Sequence, residues 1–306
     1  RMRKWFWSRW PIHQTRPSGK IYSSMLDTTP SGVSGLLTGG DQVEWQRVVR
    51  EARAAAEELA VAAGKLAKEA FLLDKEIEAK GEYGDIVTEI DRQAEEWIVS
   101  GIKKRFPSHR ILGEEFGWQG GDDPDWSWMI DPLDGTNNYA IGLPVYAVCI
   151  TCFYRDEPVL GVIYDSHLER LYVAVKGEGA TVNGKQLTIA PQSFKRPTVA
   201  WVQGHHVQGD ERSLALRQVL EQRCKRMLRL WAPGIAWSLL AQGQIDAMVV
   251  YRSGGVDMYA GMLLAREAGA VTVDYEGKAF DGIDPDASLI ACHPERLTEI
   301  IKLVRT

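Results

Sequence analysis

The chain has 306 residues, of which 45% are hydrophobic and 25% are charged, a composition typical of a globular protein rather than a disordered or fibrous one. Its length is sufficient for one large domain or two joined ones with a substantial core. The net charge of −5 argues against nucleic acid as the main partner, and no apolar run approaches the roughly 18 residues of a membrane span.

The four cysteines are too few and too scattered for a disulfide scaffold, which favours a reduced, cytoplasmic compartment. Cys149 and Cys152 have the spacing of a redox or zinc pair. They lie within the apolar run 145–154, which is typical of a buried strand, and strand residues three apart face opposite sides of a sheet. We therefore predict two core thiols at this pair and no site.

Residues 1–40 differ from the rest of the chain. Basic and aromatic residues dominate the first ten, Ser, Thr, Gly and Pro follow, and no acidic residue precedes Asp27. This bias is typical of an organellar transit peptide, which would place the protein in a mitochondrion or plastid. It is also compatible with a membrane-surface or nucleic-acid-binding arm. The remaining interpretation, a flexible tail outside the chemistry, is our prediction.

Two helices open the globular part. An Ala-rich amphipathic pattern predicts a helix over 41–73, and a second pattern predicts one from near Asp91 to Phe106. Asp91 lies in the first turn, where a carboxylate suits the helix dipole in any case. A short strand then ends at Glu114, and the Gly- and Asp-rich residues 117–125 indicate an exposed connection.

The rest of the chain divides into an antiparallel part and an alternating part. Strands are predicted at 145–154, 159–164 and 170–175, and Asn183-Gly184 marks a two-residue hairpin. From about residue 198, strands alternate with helices, which indicates a layered α/β half. The predicted strands there are 198–203, 227–231, 246–251, 271–275 and 288–292, and the predicted helices are 211–224, 233–242, 256–268 and 294–304.

Five acidic residues lie at the ends of predicted elements, where sites on a rigid scaffold are commonly built. Converging carboxylates repel one another and require cations, and oxygen-only ligands select hard ions such as Mg²⁺. We predict that an α+β domain, 41–195, supplies most of these ligands and that an α/β domain, 196–306, completes the site. The five residues are Asp91, Glu114, Asp131, Asp134 and Asp257.

Two alternatives to this metal site are weaker. Taken singly, Asp257 is a typical helix cap. His205 and His206 are the only adjacent histidines, but they lack acid or thiol company, and we predict them on the surface rather than at a zinc ion.

The stretch from Asp131 to Tyr139 combines ligands for a cation with ligands for a phosphate. An apolar run ends in Asp131 and Asp134, and Pro132 between them stiffens the backbone. Gly135 then opens a segment that can begin a helix, and helix N-termini bind anions through free N–H groups. Carboxylates and N–H groups at one corner suit a divalent cation plus a phosphate.

Four motifs recur in a familiar order and spacing. They are Asp85-Ile-Val-Thr-Glu-Ile-Asp91, Ile111-Leu-Gly-Glu-Glu115, Trp128-x-Ile-Asp131-Pro-Leu-Asp-Gly-Thr-x-Asn-Tyr139, and Val256-Asp257 followed by Ala260-Gly261 and Glu267-Ala-Gly269. From about residue 43 onward the chain thus resembles the inositol monophosphatase-like family of Mg²⁺-dependent, lithium-sensitive phosphatases. The resemblance implies an α/β (α+β) fold, a layered αβαβα sandwich of the inositol monophosphatase/fructose bisphosphatase type, and a homodimer.

The resemblance also implies a set of metal ligands for two or three Mg²⁺ ions. Side chains would supply all of them except one backbone carbonyl, and the third ion would bind more loosely than the others. The first ion would be held by Glu114, Asp131 and the carbonyl of Leu133, the second by Asp131, Asp134 and Asp257, and the third by Asp91.

Catalytic and substrate-binding roles follow from the same resemblance. Thr136 and Glu114 would orient and deprotonate the attacking water, with Asp91 supporting them. The phosphate would be bound by backbone N–H groups at the start of the short helix. The implied substrate-binding residues are Gly135, Thr136, Asp257, Lys80 and Trp231.

Departures from the family pattern lie around the substrate rather than around the metals. Trp231 and Pro233 stand where sugar-phosphate members usually carry a Gly-Ser/Thr-Ala turn, and Val250 replaces a glutamate of inositol-specific members. Val256 replaces a Trp, and Tyr259 replaces a small residue. Because loss of a polar group from a site leaves substrate hydroxyls unpaired, we expect a flatter or more apolar alcohol, with Trp231 as a stacking surface.

The sequence therefore predicts hydrolysis of a small phosphorylated metabolite, inositol- or sugar-phosphate-like, by a metal-activated water. A nucleotide 3′-phosphatase, a fructose bisphosphatase and a histidinol phosphatase remain alternatives within the family. Outside it, a catalytically silent scaffold remains open, although such a relative would have little reason to keep every metal acid and Thr136. No nucleic-acid partner and no membrane span are expected.

Overall fold

A computed structural model describes residues 39–80, 85–190, 194–280 and 282–305. The chain divides into two compact units, residues 1–46 and 47–306. The predicted tail lies outside the described residues except for Gly39 and Gly40, which open the first helix.

Two long helices and a small antiparallel hairpin come first. They are α1 (Gly39–Ala70), β1 (Ile77–Lys80), β2 (Asp85–Thr88) and α2 (Glu89–Arg105). The buried residues of α2 include Ala94, Ile98 and Ile102, at the spacing that predicts one apolar face. The two helices approach closely, because a Cβ at Gly101 of α2 would lie 2.3 Å from the side chain of Leu59 in α1.

The larger sheet fills the middle of the chain. Its strands are β3 (Arg110–Gly113), β4 (Gly117–Gly120), β5 (Trp126–Asp134), β6 (Ala147–Tyr154), β7 (Glu157–Asp165), β8 (Arg170–Val175), β9 (Gly179–Val182) and β10 (Lys185–Leu187). They lie in the order β10-β9-β8-β7-β6-β5-β3-β4. All neighbours are antiparallel except β3 and β5, which run parallel. A short helix, α3 (Thr136–Ala140), follows β5.

The second half of the chain builds a smaller sheet. Its elements are β11 (Thr198–Gln203), α4 (Glu211–Arg223), β12 (Arg226–Leu228), α5 (Pro233–Ala241), β13 (Ala247–Tyr251), α6 (Met258–Glu267), β14 (Val271–Asp274), β15 (Leu289–Cys292) and α7 (Leu297–Val304). The strand order is β12-β11-β13-β15-β14. Strands β12, β11 and β13 are parallel, and β15 is antiparallel to both of its neighbours.

Helices and sheets alternate in five layers. Helices α1 and α2 cover one face of the larger sheet, α5 and α6 lie between the sheets, and α4 and α7 cover the outer face of the smaller sheet. Close approach depends on glycine: a Cβ at Gly161 of β7 would lie 2.7 Å from the carbonyl oxygen of Ala260 in α6, and one at Gly261 would lie 2.2 Å from the ring of Trp237 in α5. The predicted αβαβα sandwich is confirmed.

Most predicted elements agree with the structure to within one to three residues, and the Asn183-Gly184 hairpin joins β9 to β10 as expected. Cys149 and Cys152 are buried free thiols, as predicted. The connection predicted over 117–125 was wrong in part, because β4 pairs with the edge of β3. The domain boundary between residues 195 and 196 stays a prediction.

Candidate active site

The C-terminal end of β5 carries the acidic corner. Residues three apart on a regular strand face opposite sides, yet the ladder with β6 shifts register between Asp131 and Asp134. Pro132 has no N–H to donate, and the N–H of Leu133 donates to Asp131 Oδ1 at 3.0 Å instead of to the ladder. This irregularity lets both carboxylates point to one side.

Asp131 and Asp134 meet Asp257, which lies directly before α6. Each of the three offers one carboxylate oxygen, and these oxygens all lie within 4.8 Å of one another. Burial raises the pKa of both Asp131 and Asp134 well above the usual range; the next cause is Glu114 for Asp131 and Asp257 for Asp134. Buried like charges at this separation are unfavourable without a cation. The oxygen-only donor set fits Mg²⁺ or a similar hard ion.

Asp134 is also held from the second half of the chain. The backbone N–H of Gly234, in the first turn of α5, donates to Asp134 Oδ2 at 2.8 Å. A Cβ at Gly234 would lie 2.8 Å from that oxygen and 2.6 Å from Cys149 Sγ. The glycine therefore allows the helix start to approach the carboxylate, and a carboxylate at a helix N-terminus is favourable.

Thr136 and Asp91 form a second part of the site. Thr136 Oγ1 lies 2.8 Å from Asp91 Oδ1 and 2.9 Å from the carbonyl oxygen of Leu133, so its single proton has two acceptors in reach. Asp91 Oδ2 accepts the backbone N–H of Thr88 at 2.8 Å, which fixes the carboxylate at the start of α2. Burial raises the pKa of Asp91.

Lys80 joins the site through the two glutamates after β3. Its Nζ lies 3.2 Å from Glu114 Oε1 and also forms an ion pair with Glu115. Burial alone would lower the pKa of Lys80, but the two carboxylates outweigh it and raise that pKa. Burial, followed by the charge of Glu114, raises the pKa of Glu115 to about 8. Glu114 also neighbours Asp131, which connects Lys80 to the three-carboxylate cluster.

Glu95 is a site-supporting residue that the sequence patterns did not reveal. It is fully buried on α2 and accepts the backbone N–H groups of Glu115 at 2.6 Å and Phe116 at 3.0 Å. A Cβ at Gly113 would lie 1.9 Å from Glu95 Oε1. Glu95 thus holds the turn that carries Glu114. The signal that could have found it is its position one helical turn after Asp91.

The segment before α5 closes over the start of α3. A Cβ at Gly135 would lie 3.0 Å from Cβ of Ala232, and the Asn138 side-chain amide donates to the carbonyl oxygen of Leu230 at 2.6 Å. Trp231 lies between these two contacts and is half-buried. The structure therefore places Trp231 beside the proposed phosphate-binding turn.

Three of the departures from the family pattern lie in the core rather than around the substrate, where we had expected them. Val250 is 1% exposed within β13, Val256 is 6% exposed, and Tyr259 is fully buried. The Tyr259 hydroxyl accepts the backbone N–H of Asp284 at 3.0 Å, and its ring lies 5.6 Å from that of Phe153. Packing in the core therefore accounts for these three side chains.

The prediction that His205 and His206 lack acidic company was wrong. His205 Nε2 lies 4.0 Å from Asp85 Oδ1, and His206 Nε2 lies 3.4 Å from Asp286 Oδ1. The acidic partners come from segments about 120 and 80 residues away, so the local sequence could not reveal them.

The predicted site residues therefore lie in linked groups. Asp131, Asp134 and Asp257 form the cluster, and Glu114 and Lys80 adjoin it on one side. Asp91 and Thr136 share a hydrogen bond. The remaining predicted residues, Leu133, Gly135 and Trp231, lie on or against the β5–α3 corner.

Comparison with known proteins shows the family of the chain. The model of the inositol monophosphatase family matches residues 48–306. The chain belongs to the inositol monophosphatase family. Membership supports phosphatase activity on phosphate esters, and the family is one of metal-dependent phosphatases.

The chain is similar in sequence to several members of this family. A fructose-1,6-bisphosphatase/inositol-1-monophosphatase of Aquifex aeolicus is 34% identical over 216 residues, covering 69% of this chain and 81% of that protein. Human inositol monophosphatase 2 is 32% identical over 238 residues, covering 74% and 81%.

Solved structures of the family share the fold. The extragenic suppressor protein SuhB of Bartonella henselae superimposes with a TM-score of 0.76 at 26% identity, covering 83% of this chain and 98% of that one. None of the helices in the described part of the chain combines the length and hydrophobicity that a bilayer crossing requires.

Proposed function

We propose that the protein hydrolyses a small phosphate monoester, inositol- or sugar-phosphate-like, with two or three Mg²⁺ ions. The observation that supports this most is the buried trio of Asp131, Asp134 and Asp257 with its oxygens within 4.8 Å. Three such carboxylates attract cations, and those cations can also neutralise the negative charge of a phosphate ester. The cluster therefore suits an anionic substrate.

The proposed metal ligands follow the groups seen in the site. Glu114, Asp131 and the carbonyl of Leu133 would hold one ion, and Asp131, Asp134 and Asp257 would hold another. Asp91 would support a third, more loosely held ion. When bound, the ions would lower the pKa of a water molecule and neutralise the phosphate.

Thr136 would orient the attacking water. Its hydroxyl proton is directed to Asp91 Oδ1 or to the carbonyl oxygen of Leu133, so a lone pair remains to accept a hydrogen bond from water. The Glu114 carboxylate would accept the proton that the water loses. Lys80, at 3.2 Å from Glu114, would hold that carboxylate in place by an ion pair.

The substrate would bind across the same corner. The left-handed backbone of Gly135, with φ of 92°, turns the chain so that the N–H groups of Gly135 and Thr136 can face phosphate oxygens. Asp257 would accept a hydrogen bond from a hydroxyl of the alcohol. Lys80 would supply positive charge, and Trp231 would border the alcohol.

Phosphate release in the presence and absence of Mg²⁺ tests this function. We expect Mg²⁺-dependent release from a panel of sugar, inositol, nucleotide and amino-alcohol phosphates. In Asp134→Asn we expect the rate of phosphate release to fall more than about 100-fold. Substitution of residues that only support metal ligands already lowers activity about 10–100-fold. Equal release by both proteins would contradict the metal assignment, and no release by either would favour a scaffold.

Assembly and location are separate proposals that rest on the family resemblance and the first 40 residues. We propose a homodimer, which sedimentation analysis of the full chain tests directly. We propose a cytoplasmic location, with an organelle as the alternative if residues 1–40 act as a transit peptide. Fluorescent fusions with and without those residues distinguish the two.

A further inference from the structure

His205 reaches the site from the second half of the chain. It begins a short 3-10 turn directly after β11, and its Nε2 lies 4.0 Å from Asp85 Oδ1. Asp85 stands opposite Lys80 in the β1–β2 register, and Lys80 contacts Glu114. His205 is therefore connected to Glu114, a proposed metal ligand, through two intervening residues, Asp85 and Lys80.

The imidazole of His205 forms an aromatic pair with Trp231. The ring centroids are 5.4 Å apart and the planes are tilted by 45°. Such a separation and tilt are favourable for two aromatic rings, and a tilted pair leaves part of each face accessible. The Arg229 guanidinium lies 5.3 Å from the Trp231 ring. These three side chains form a continuous surface, which we call the aromatic wall.

Trp231 is held in a backbone conformation that a bulky residue rarely adopts. Its φ is 53°, in the left-handed region. Such a conformation persists only where surrounding contacts enforce it. They do so here: the carbonyl oxygen of Leu230 is bound by Asn138, and the N–H of Gly234 is bound by Asp134. These two contacts tie the segment around Trp231 to the β5–α3 corner and therefore hold the backbone of Trp231 beside that corner.

Space for a ligand lies beside the wall. Residues 205–210 and Arg252 line a cavity of about 500 Å³, within the size range of small-molecule sites. His205 belongs both to this cavity and to the aromatic wall, so the cavity adjoins the His205 end of the wall.

The chemistry of the wall differs from that of a polyol site. A polyol is recognised by convergent hydrogen-bonding groups, whereas the wall presents two rings and a guanidinium. Val250 is buried in β13 and contributes no polar group to the wall. We propose that the aromatic wall selects a phosphate monoester whose alcohol carries a planar aromatic or heteroaromatic ring, which packs against Trp231 and His205. This inference rests on the proposed phosphatase function and assigns it an aromatic alcohol in place of the inositol- or sugar-like one.

Two esters that differ only in ring planarity test the wall. Benzyl phosphate and cyclohexylmethyl phosphate are both primary alkyl phosphates of similar size. We expect kcat/KM to favour benzyl phosphate by about tenfold in the wild type, the effect of one good ring-stacking contact. Calorimetry with the two corresponding phosphonates should show the same preference in binding.

Variants assign the preference to the two rings. Trp231→Leu and His205→Leu should bring the benzyl to cyclohexylmethyl ratio close to one, whereas Trp231→Phe and His205→Phe should retain most of it. Trp97→Leu is a matched control, because Trp97 is exposed on α2; its ratio should equal that of the wild type. The Phe variants keep the test valid should the Leu variants fail to fold.

Failure of this inference is distinguishable from failure of the proposed function. Glycerol 2-phosphate, which has no ring, serves as the reference substrate. Release from glycerol 2-phosphate with a ring ratio near one, or a ratio that Trp231→Leu and His205→Leu leave unchanged, would overturn the aromatic wall alone. Release from the panel of sugar, inositol, nucleotide and amino-alcohol phosphates without release from benzyl phosphate would also overturn the aromatic wall alone. No Mg²⁺-dependent release from the three esters or from that panel would overturn the phosphatase function.

Discussion

Replacing Asp134 by Asn should stabilise the metal-free protein while it abolishes activity. The Asn side-chain oxygen can take the place of Asp134 Oδ2 and accept the N–H of Gly234, now 2.8 Å away. The substitution therefore keeps the contact with α5 and removes one negative charge from the cluster with Asp131 and Asp257. A stabilising change at a functional residue is expected where function requires an unfavourable arrangement.

The magnitude follows from the separation of the carboxylates. Two unit charges no more than 4.8 Å apart repel by at least about 3.5 kcal/mol at an effective dielectric constant near 20. Part of this repulsion is already relieved, because burial and the neighbouring charges raise the pKa of Asp131 and Asp134 and so favour protonation. We expect Asp134→Asn to raise the free energy of unfolding by about 1–3 kcal/mol at neutral pH.

Urea unfolding in EDTA and in MgCl₂ measures the effect. In EDTA the variant should be more stable than the wild type, and MgCl₂ should stabilise the wild type far more than the variant. Asp165→Asn is the control, because Asp165 is buried and accepts the N–H of Leu168 at 3.0 Å but lies outside the cluster. A variant Asp134→Asn that is less stable than the wild type in EDTA would refute the reasoning.

Three further predictions concern neighbouring groups. Gly234→Ala places a Cβ 2.8 Å from Asp134 Oδ2. Urea unfolding should therefore show that the free energy of unfolding falls by about 1–3 kcal/mol, and kcat/KM should fall by about 100-fold. Wild-type values of both would contradict the close contact. Glu95→Gln turns a side-chain NH₂ group toward a backbone N–H. The free energy of unfolding should therefore fall by about 1–3 kcal/mol, and the Mg²⁺ concentration for half-maximal activity should rise. Glu96 is exposed, so the control Glu96→Gln should change neither quantity. Burial lowers the pKa of His109 from 6.5 to about 4, so its stabilising contribution is complete above pH 6.5 and is lost as the pH falls toward 4. Between pH 6.5 and pH 4 the free energy of unfolding of the wild type should fall by about 3 kcal/mol more than that of His109→Gln. Parallel pH profiles of the two proteins would contradict this.

Hydrophobic periodicity was sufficient to predict most elements. Strands β8 and β11 have the predicted bounds, 170–175 and 198–203, because each is a continuous apolar run between turn signals. The β1–β2 hairpin was not predicted, since β1 is short and exposed. Strand β4, with glycine at both ends, becomes a strand only by pairing with β3. Short polar or glycine-containing segments depend on their neighbours for their structure.

Around the site, the sequence predicted the acids but not the groups that support them. Glu95 is an ordinary polar residue of an amphipathic helix until the fold brings the N–H groups of Glu115 and Phe116 to it. His205 meets Asp85 and Trp231 only because β11 ends beside the hairpin and the segment before α5. Long-range pairs of this kind leave no local pattern.

The sequence by itself determined which acidic residues end the predicted elements, their order and the β5–α3 corner, since these follow from residue chemistry and short-range spacing. Its resemblance to a known family indicated the fold. Tertiary structure alone decided that Asp257 lies within 4.8 Å of Asp131 and Asp134, that α5 binds Asp134, and that an aromatic wall borders the corner. The physical reason is that packing of distant segments, rather than local backbone preference, sets the distances between groups far apart in the chain.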